Sequence, residues 1–127
     1  MGLALVLFYM VLLGFGTMIS PGVGFFGGII TMLPQWVTES SHVPTYGILT
    51  WLLACGFHRR GWPRAYALFA AGASAMVFGL WMEIVQGSVP GRVVSLEDVI
   101  ANGAGIGMVL VLILWNKMSV QSSIPAA

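Results

Sequence analysis

The sequence predicts an all-α membrane protein: four transmembrane helices with a short interfacial or re-entrant segment after the first. Three observations predict it. Of 127 residues, 58% are hydrophobic and 7% charged, whereas soluble domains are about 45–50% apolar and about 25% charged. The mean hydropathy is +0.94. The apolar residues also fall into separate runs, divided by proline, glycine and the few charges. A chain of this length is expected to form one transmembrane domain over residues 1–127.

Residues 2–19 carry no charge and, as a helix, would reach about 27 Å. They lack a basic leader and outrun the usual signal core, so they read as a retained helix. Ser20, Pro21 and Gly22 end the run. Residues 22–33 are uncharged, too few to span a bilayer, and include four glycines, which suits an interfacial or re-entrant piece. Trp36 fits the headgroup zone that follows. The second span, residues 43–57, should start at Ser41 as N-cap, with Pro44 tolerated in its first turn. Residues 65–86 and 96–115 form the third and fourth spans, and residues 121–127 read as a frayed tail.

Charge sets the orientation. Arg59, Arg60 and Arg64 lie between the second and third spans, and Lys117 follows the fourth. These four of five cations mark the cytoplasmic side, so both termini are expected there. Arg92 and all four acids fall at the other side. A net charge of +1 without a basic cluster excludes a nucleic-acid partner. Cys55 is the sole cysteine, without metal-ligand spacing around it, and reads as a small buried hydrophobe. No metal or cofactor is expected, and membrane lipids are expected partners.

The third span carries Ala67, Ala71, Ala75, Gly79 and Glu83 every four residues. Small side chains at this spacing let a neighbouring helix approach closely. The fourth span has its own small patch, with Ala101, Gly103, Ala104, Gly105 and Gly107. These two spans should pack tightly, with Glu83 at the outer end of their seam.

Three of the four acids and Arg92 fall within sixteen positions, Glu83 to Asp98. Polar groups beside a bilayer are expensive and need a reason. Glu83 and Gln86 share a helix face; Glu83 is a candidate proton acceptor, or else a structural partner of Arg92. Arg92 follows the turn dipeptide Pro90-Gly91, and its fork could hold a carboxylate or lipid phosphate, or clip to Glu83 or Asp98. Ser95 to Asp98 reads as a capping box, with Glu97 and Asp98 favourable to the helix dipole. Asn102 lies one turn inside and needs a partner, for which Glu83 and Gln86 are candidates. Asp98, Asn102 and Gly105 share one face. His42 and Tyr46, four apart at the outer start of the second span, could complete the cluster, or His42 could sit solvated at the interface. His58, among the inner arginines, reads as headgroup-facing.

These residues resemble the pattern of the VanZ-like family of small bacterial membrane proteins, over roughly residues 42–109. That pattern has His and Tyr four apart, then E-x-x-Q, an Arg, and Asp and Asn opening the last helix. His42, Tyr46, Glu83, Gln86, Arg92, Asp98 and Asn102 match it in order. The chain has Thr38-Glu39 where the family usually has Asp-Lys, and Val109 where it usually has a second glycine. The resemblance implies a multi-pass protein of the bacterial inner membrane. The founding member is associated with resistance to the glycopeptide teicoplanin; related domains accompany other membrane systems.

Two functions follow as expectations. The first is a non-catalytic accessory or structural subunit of a larger membrane complex, respiratory or photosynthetic assemblies included, favoured by minimal loops and a depleted polar cluster. The alternative is an outer-side enzyme or a lipid or cell-wall-precursor binder, with Glu83 as base, Arg92 holding an anion and His42 moving protons. No ionisable residue falls near mid-membrane, which disfavours a transporter.

Overall fold

The computed structural model describes residues 3–122, with side chains over 4–116. All regular structure among them is helical: α1 (Leu3–Thr17), α2 (Gly24–Met32), α3 (Gln35–Ser40), α4 (His42–Arg59), α5 (Arg64–Gln86) and α6 (Leu96–Ser122). The all-α expectation holds. Among the described residues, two helices are long and apolar enough to cross a membrane, α5 and residues 96–116 of α6. α1 has only 15 residues, and the 18-residue α4 is less apolar, with His42 at one end and His58 and Arg59 at the other.

The expected segments reappear with shifted ends. The segment 22–33 holds the nine-residue α2. Gly27 makes its entry turn possible: a Cβ there would strike the Ser20 carbonyl, and the Gly27 carbonyl accepts the Gly22 N–H at 2.9 Å. α3 was not anticipated, because its six residues show no apolar periodicity. It runs almost directly into α4, which corrects the capping role expected of Ser41. Ser41 keeps helical angles (φ −62°, ψ −23°), and its hydroxyl donates back to the Thr38 carbonyl at 2.6 Å instead of capping α4. At the far end α6 continues through Ser122, beyond the expected end at 115. Residues 123–127 of the expected tail, and the Lys117 side chain, lie outside the described residues.

The α4–α5 connection is a Schellman closure. Gly61 takes φ +83°; its N–H donates to the His58 carbonyl and that of Trp62 to the Phe57 carbonyl. The Phe57 and Trp62 rings pack 5.0 Å apart, the apolar contact that accompanies this motif. Three residues later the Arg64 guanidinium donates to the Ile113 carbonyl at 2.6 Å, tying this end of α5 to α6. Cys55 is half-buried here, not enclosed as expected.

The core lies where α4, α5 and α6 meet, around Tyr46, Leu49, Ala75 and Ile106. Ala67, Ala71 and Ala75 are at most 1% exposed, and Gly79 and Glu83 are buried below them. α5 and α6 pack on each other as expected, Gly72 lying against Leu110 and Ile106, but α4 packs against both more extensively. The reason is Gly105. A Cβ there would overlap the Val43 carbonyl, so this one missing side chain brings the α4 and α6 backbones together. Val109, which breaks the glycine pattern, fits over Gly47, where a Cβ would lie 3.1 Å from its methyl. Gly103 faces only the tip of Met76 at 3.4 Å, and Gly107 has nothing within 4 Å, so Gly107 is not a packing glycine. α1 lies outside this trio, its Tyr9 hydroxyl donating to the Thr45 carbonyl at 3.0 Å.

Candidate functional site

At the α5–α6 turn, three helix ends and one loop converge. α4 presents His42 and Tyr46 from its first two turns. α5 presents Glu83 and Gln86 from its last turn, both 3% exposed. α6 presents Asp98 and Asn102. Arg92 comes from the connection. There Gly91 takes φ +80° and the Arg92 N–H donates to the Val89 carbonyl at 3.0 Å, a turn with Pro and Gly at the central positions that a type II geometry prefers.

His42 organises the α4–α6 contact. Its Nδ1 donates to Oδ1 of Asn102 at 3.0 Å, and its Nε2 lies 3.8 Å from Oδ1 of Asp98. Its ring stacks on Tyr46, with centroids 6.2 Å apart and planes 4° from parallel. Asn102, 2% exposed, thus finds the partner a buried amide needs. That partner is His42, not Glu83 or Gln86 as anticipated. Gly79 makes the room: a Cβ there would come within 2.9 Å of Nδ2 of Asn102 and 3.0 Å of the Tyr46 ring. Asp98, Asn102 and Gly105 do share one face, and it is the face turned to α4.

Glu83 has a different task. Its Oε1 accepts the main-chain N–H of Ser95, the residue that caps α6. The Ser95 hydroxyl accepts the N–H groups of Glu97 (3.2 Å) and Asp98 (3.4 Å). In a full capping box the third residue would reach back to the cap's own N–H. Here Glu83 takes that N–H from α5, and Asp98 turns to His42 instead. The sequence signalled the cap but not the exchange, because the exchange depends on a helix twelve residues earlier.

Arg92 pairs with neither Glu83 nor Asp98; the His42–Asp98 approach is the one contact within 4.0 Å between a basic side chain and a carboxylate among the described residues. The Arg92 Nη2 donates to the Ile19 carbonyl at 3.4 Å, and its Nε is buried without a partner. A carbonyl two residues past the end of α1 carries no sequence signal, so this contact could not be foreseen.

Two spaces meet at Arg92. A cavity of about 320 Å³ runs between α1, α2 and α4, lined by Leu12, Leu13, Ile30 and Leu33 and closed at its polar end by His42, Tyr46, Gln86 and Arg92. A wider cleft of about 660 Å³, open to the surface, contains Gln35, Glu39, Glu97 and Asp98 and shares Ile30, Leu33, Thr38 and Arg92 with the cavity. Glu83 lines neither. The cluster therefore divides into groups spent only on holding helices together (Glu83, Asn102) and groups that also face open space (Gln86, Arg92, Asp98, and one side of His42 and Tyr46).

No protein-family model, curated protein or solved structure matches this chain.

Proposed function

We propose that the chain is a VanZ-like, four-span protein of a bacterial inner membrane, with both termini cytoplasmic, and that it serves as a non-catalytic accessory or structural subunit of a larger membrane complex. The observation that carries the non-catalytic reading is the position of Glu83. It is turned away from both open spaces and holds the first N–H of the α6 cap, which suits a clasp and not a general base, since a base must reach its substrate.

The membrane reading is supported by what stays uncovered. In the spanning part of α6 only 17% of residues are buried, and in α5 33%. Phe8 and Phe15 of α1, Ile48 and Trp51 of α4 and Phe69 of α5 are all exposed. Apolar area on this scale is stable against lipid or partner helices, not against water. α1 and α4 would complete the four spans beside α5 and α6. A partner helix is supported by a shallow groove between α1 and α5, where Ala73 and Ser74 lie low between Met10, Val77 and Trp81; small residues at a lipid-facing groove permit close helix approach.

The test is extraction from the native membrane in mild detergent, with native mass and composition measured. Co-purification in fixed ratio with a large assembly is the expected result, and a homogeneous small particle of this chain alone would defeat the subunit assignment. Replacing Glu83 by Leu strands the Ser95 N–H at about 1–3 kcal/mol, so accumulation of the chain should fall sharply. Undiminished accumulation would remove the clasp.

A further inference from the structure

The clasp leaves a set of polar groups unexplained. Gln86 is 3% exposed, lines the 320 Å³ cavity and forms no side-chain hydrogen bond to another described residue. Arg92 stands at the junction of cavity and cleft with its Nε buried and unpartnered. A buried unpaired donor is costly and rare, and a guanidinium suits phosphate oxygens, which it can bind in pairs. On one side of Arg92 the lining is mainly apolar, with Leu12, Leu13, Ile30 and Leu33. The hydroxyls of Thr17, Thr38, Ser41 and Thr45 beside them are spent on carbonyls of the preceding turn. On the other side the cleft holds Glu39, Glu97 and Asp98, three of the four acids of the chain.

The order is therefore apolar chamber, lone cation, acidic cleft. Its volume lies within the ~300–1,000 Å³ usual for ligand sites. A free phosphate would leave the apolar chamber unused. An anionic lipid would place its headgroup among carboxylates. A zwitterionic lipid ending in a primary ammonium matches all three parts.

We propose that this space binds an aminophospholipid: one acyl chain in the cavity between α1, α2 and α4, the phosphate on Arg92 and the Gln86 amide, and the ammonium in the cleft with Glu39 and Glu97. The site rests on the membrane reading above but is independent of any partner subunit.

The experiment uses the full chain, extracted in detergent, stripped of lipid, and offered phosphatidylethanolamine, phosphatidylglycerol and phosphatidylcholine of equal chain length, with retention read by native mass spectrometry. The wild type should retain the ethanolamine lipid about tenfold over the other two, the scale of one charge-assisted hydrogen bond. Arg92→Gln should lower retention of every lipid by a similar factor. The double change Glu39→Gln with Glu97→Gln should erase the preference over phosphatidylglycerol while retention persists. Gly16→Leu gives a second route should Arg92→Gln fail to accumulate: Gly16 lines the cavity and a Cβ there meets nothing within 4 Å, so a larger side chain starts in open space and takes up room meant for the acyl chain. Equal retention of the three lipids, or undiminished retention in Arg92→Gln or Gly16→Leu, overturns the site and leaves the membrane reading standing. Recovery of the chain in the soluble fraction overturns both.

Discussion

Glycine behaves differently in the α4–α5–α6 unit and in α1. In the α4–α5–α6 unit, Gly47, Gly72, Gly79 and Gly105 each lie where a side chain would meet a neighbour at 3.1 Å or closer. In α1, Gly14 and Gly16 have nothing within 4 Å of where a Cβ would be. Both are glycine-rich, apolar helix. One is welded through its glycines; the other rests against the weld through Tyr9, Met10 and Leu13. In a membrane, apolar area alone does not drive helices together, because lipid is as apolar as leucine. Close backbone approach and interhelical hydrogen bonds must do it, and only the α4–α5–α6 unit combines the two.

The sharpest way to break this contrast is within a single helix. Gly105→Leu drives a side chain into the Val43 carbonyl, a main-chain atom that cannot swing aside. The expected loss is ~3 kcal/mol or more, the upper end for overpacking, read as failure to accumulate or a collapsed melting temperature in detergent. Gly107→Leu, two positions further along α6, meets open space and should stay within about 0.5 kcal/mol of wild type. Comparable losses in both variants would mean that α6 packs on α4 differently.

The next effect concerns the polar half of the weld. Asn102→Ala removes the acceptor of His42 Nδ1 and empties the space over Gly79. About 1–3 kcal/mol should be lost, the cost of stranding a buried donor. Gly79→Ala is costly in the wild type, because its methyl would press on Nδ2 of Asn102. In the Asn102→Ala background that contact is gone. The two changes together should therefore cost measurably less than the sum of the two alone. Strict additivity would show that Asn102 and Gly79 do not share a site.

How much of this was legible beforehand follows the same division. The row Ala67, Ala71, Ala75, Gly79 announced a packing face, because periodicity is a property of one helix. The polar cluster announced itself because charge is scarce in this chain. The partners within it did not. Asn102 reaches His42 sixty residues away, and Glu83 reaches the main chain of Ser95. Main-chain partners carry no residue signature, so the Ile19 carbonyl under Arg92 and the Val43 carbonyl over Gly105 were equally invisible. Gly107 illustrates the opposite error. It looks like a packing residue by type, but α6 turns Gly105 to α4 and Gly103 to Met76 of α5, and leaves Gly107 facing nothing within 4 Å.

The smallest expected effect tests α1. Tyr9→Phe deletes one hydroxyl and the bond it donates to the Thr45 carbonyl, the direct hydrogen bond from α1 to α4. A bond of this kind is worth about 0.5–1.5 kcal/mol. That is small against the whole fold, yet large for a helix with so few other polar ties to the trio. The loss should therefore be local. Hydrogen exchange over residues 4–17 should quicken, while exchange in α4 and α5, and the melting temperature of the whole, stay near the wild type. A uniform rise in exchange across α4, α5 and α6 would show instead that α1 belongs to the same cooperative unit, and that the welded unit and α1 melt as one.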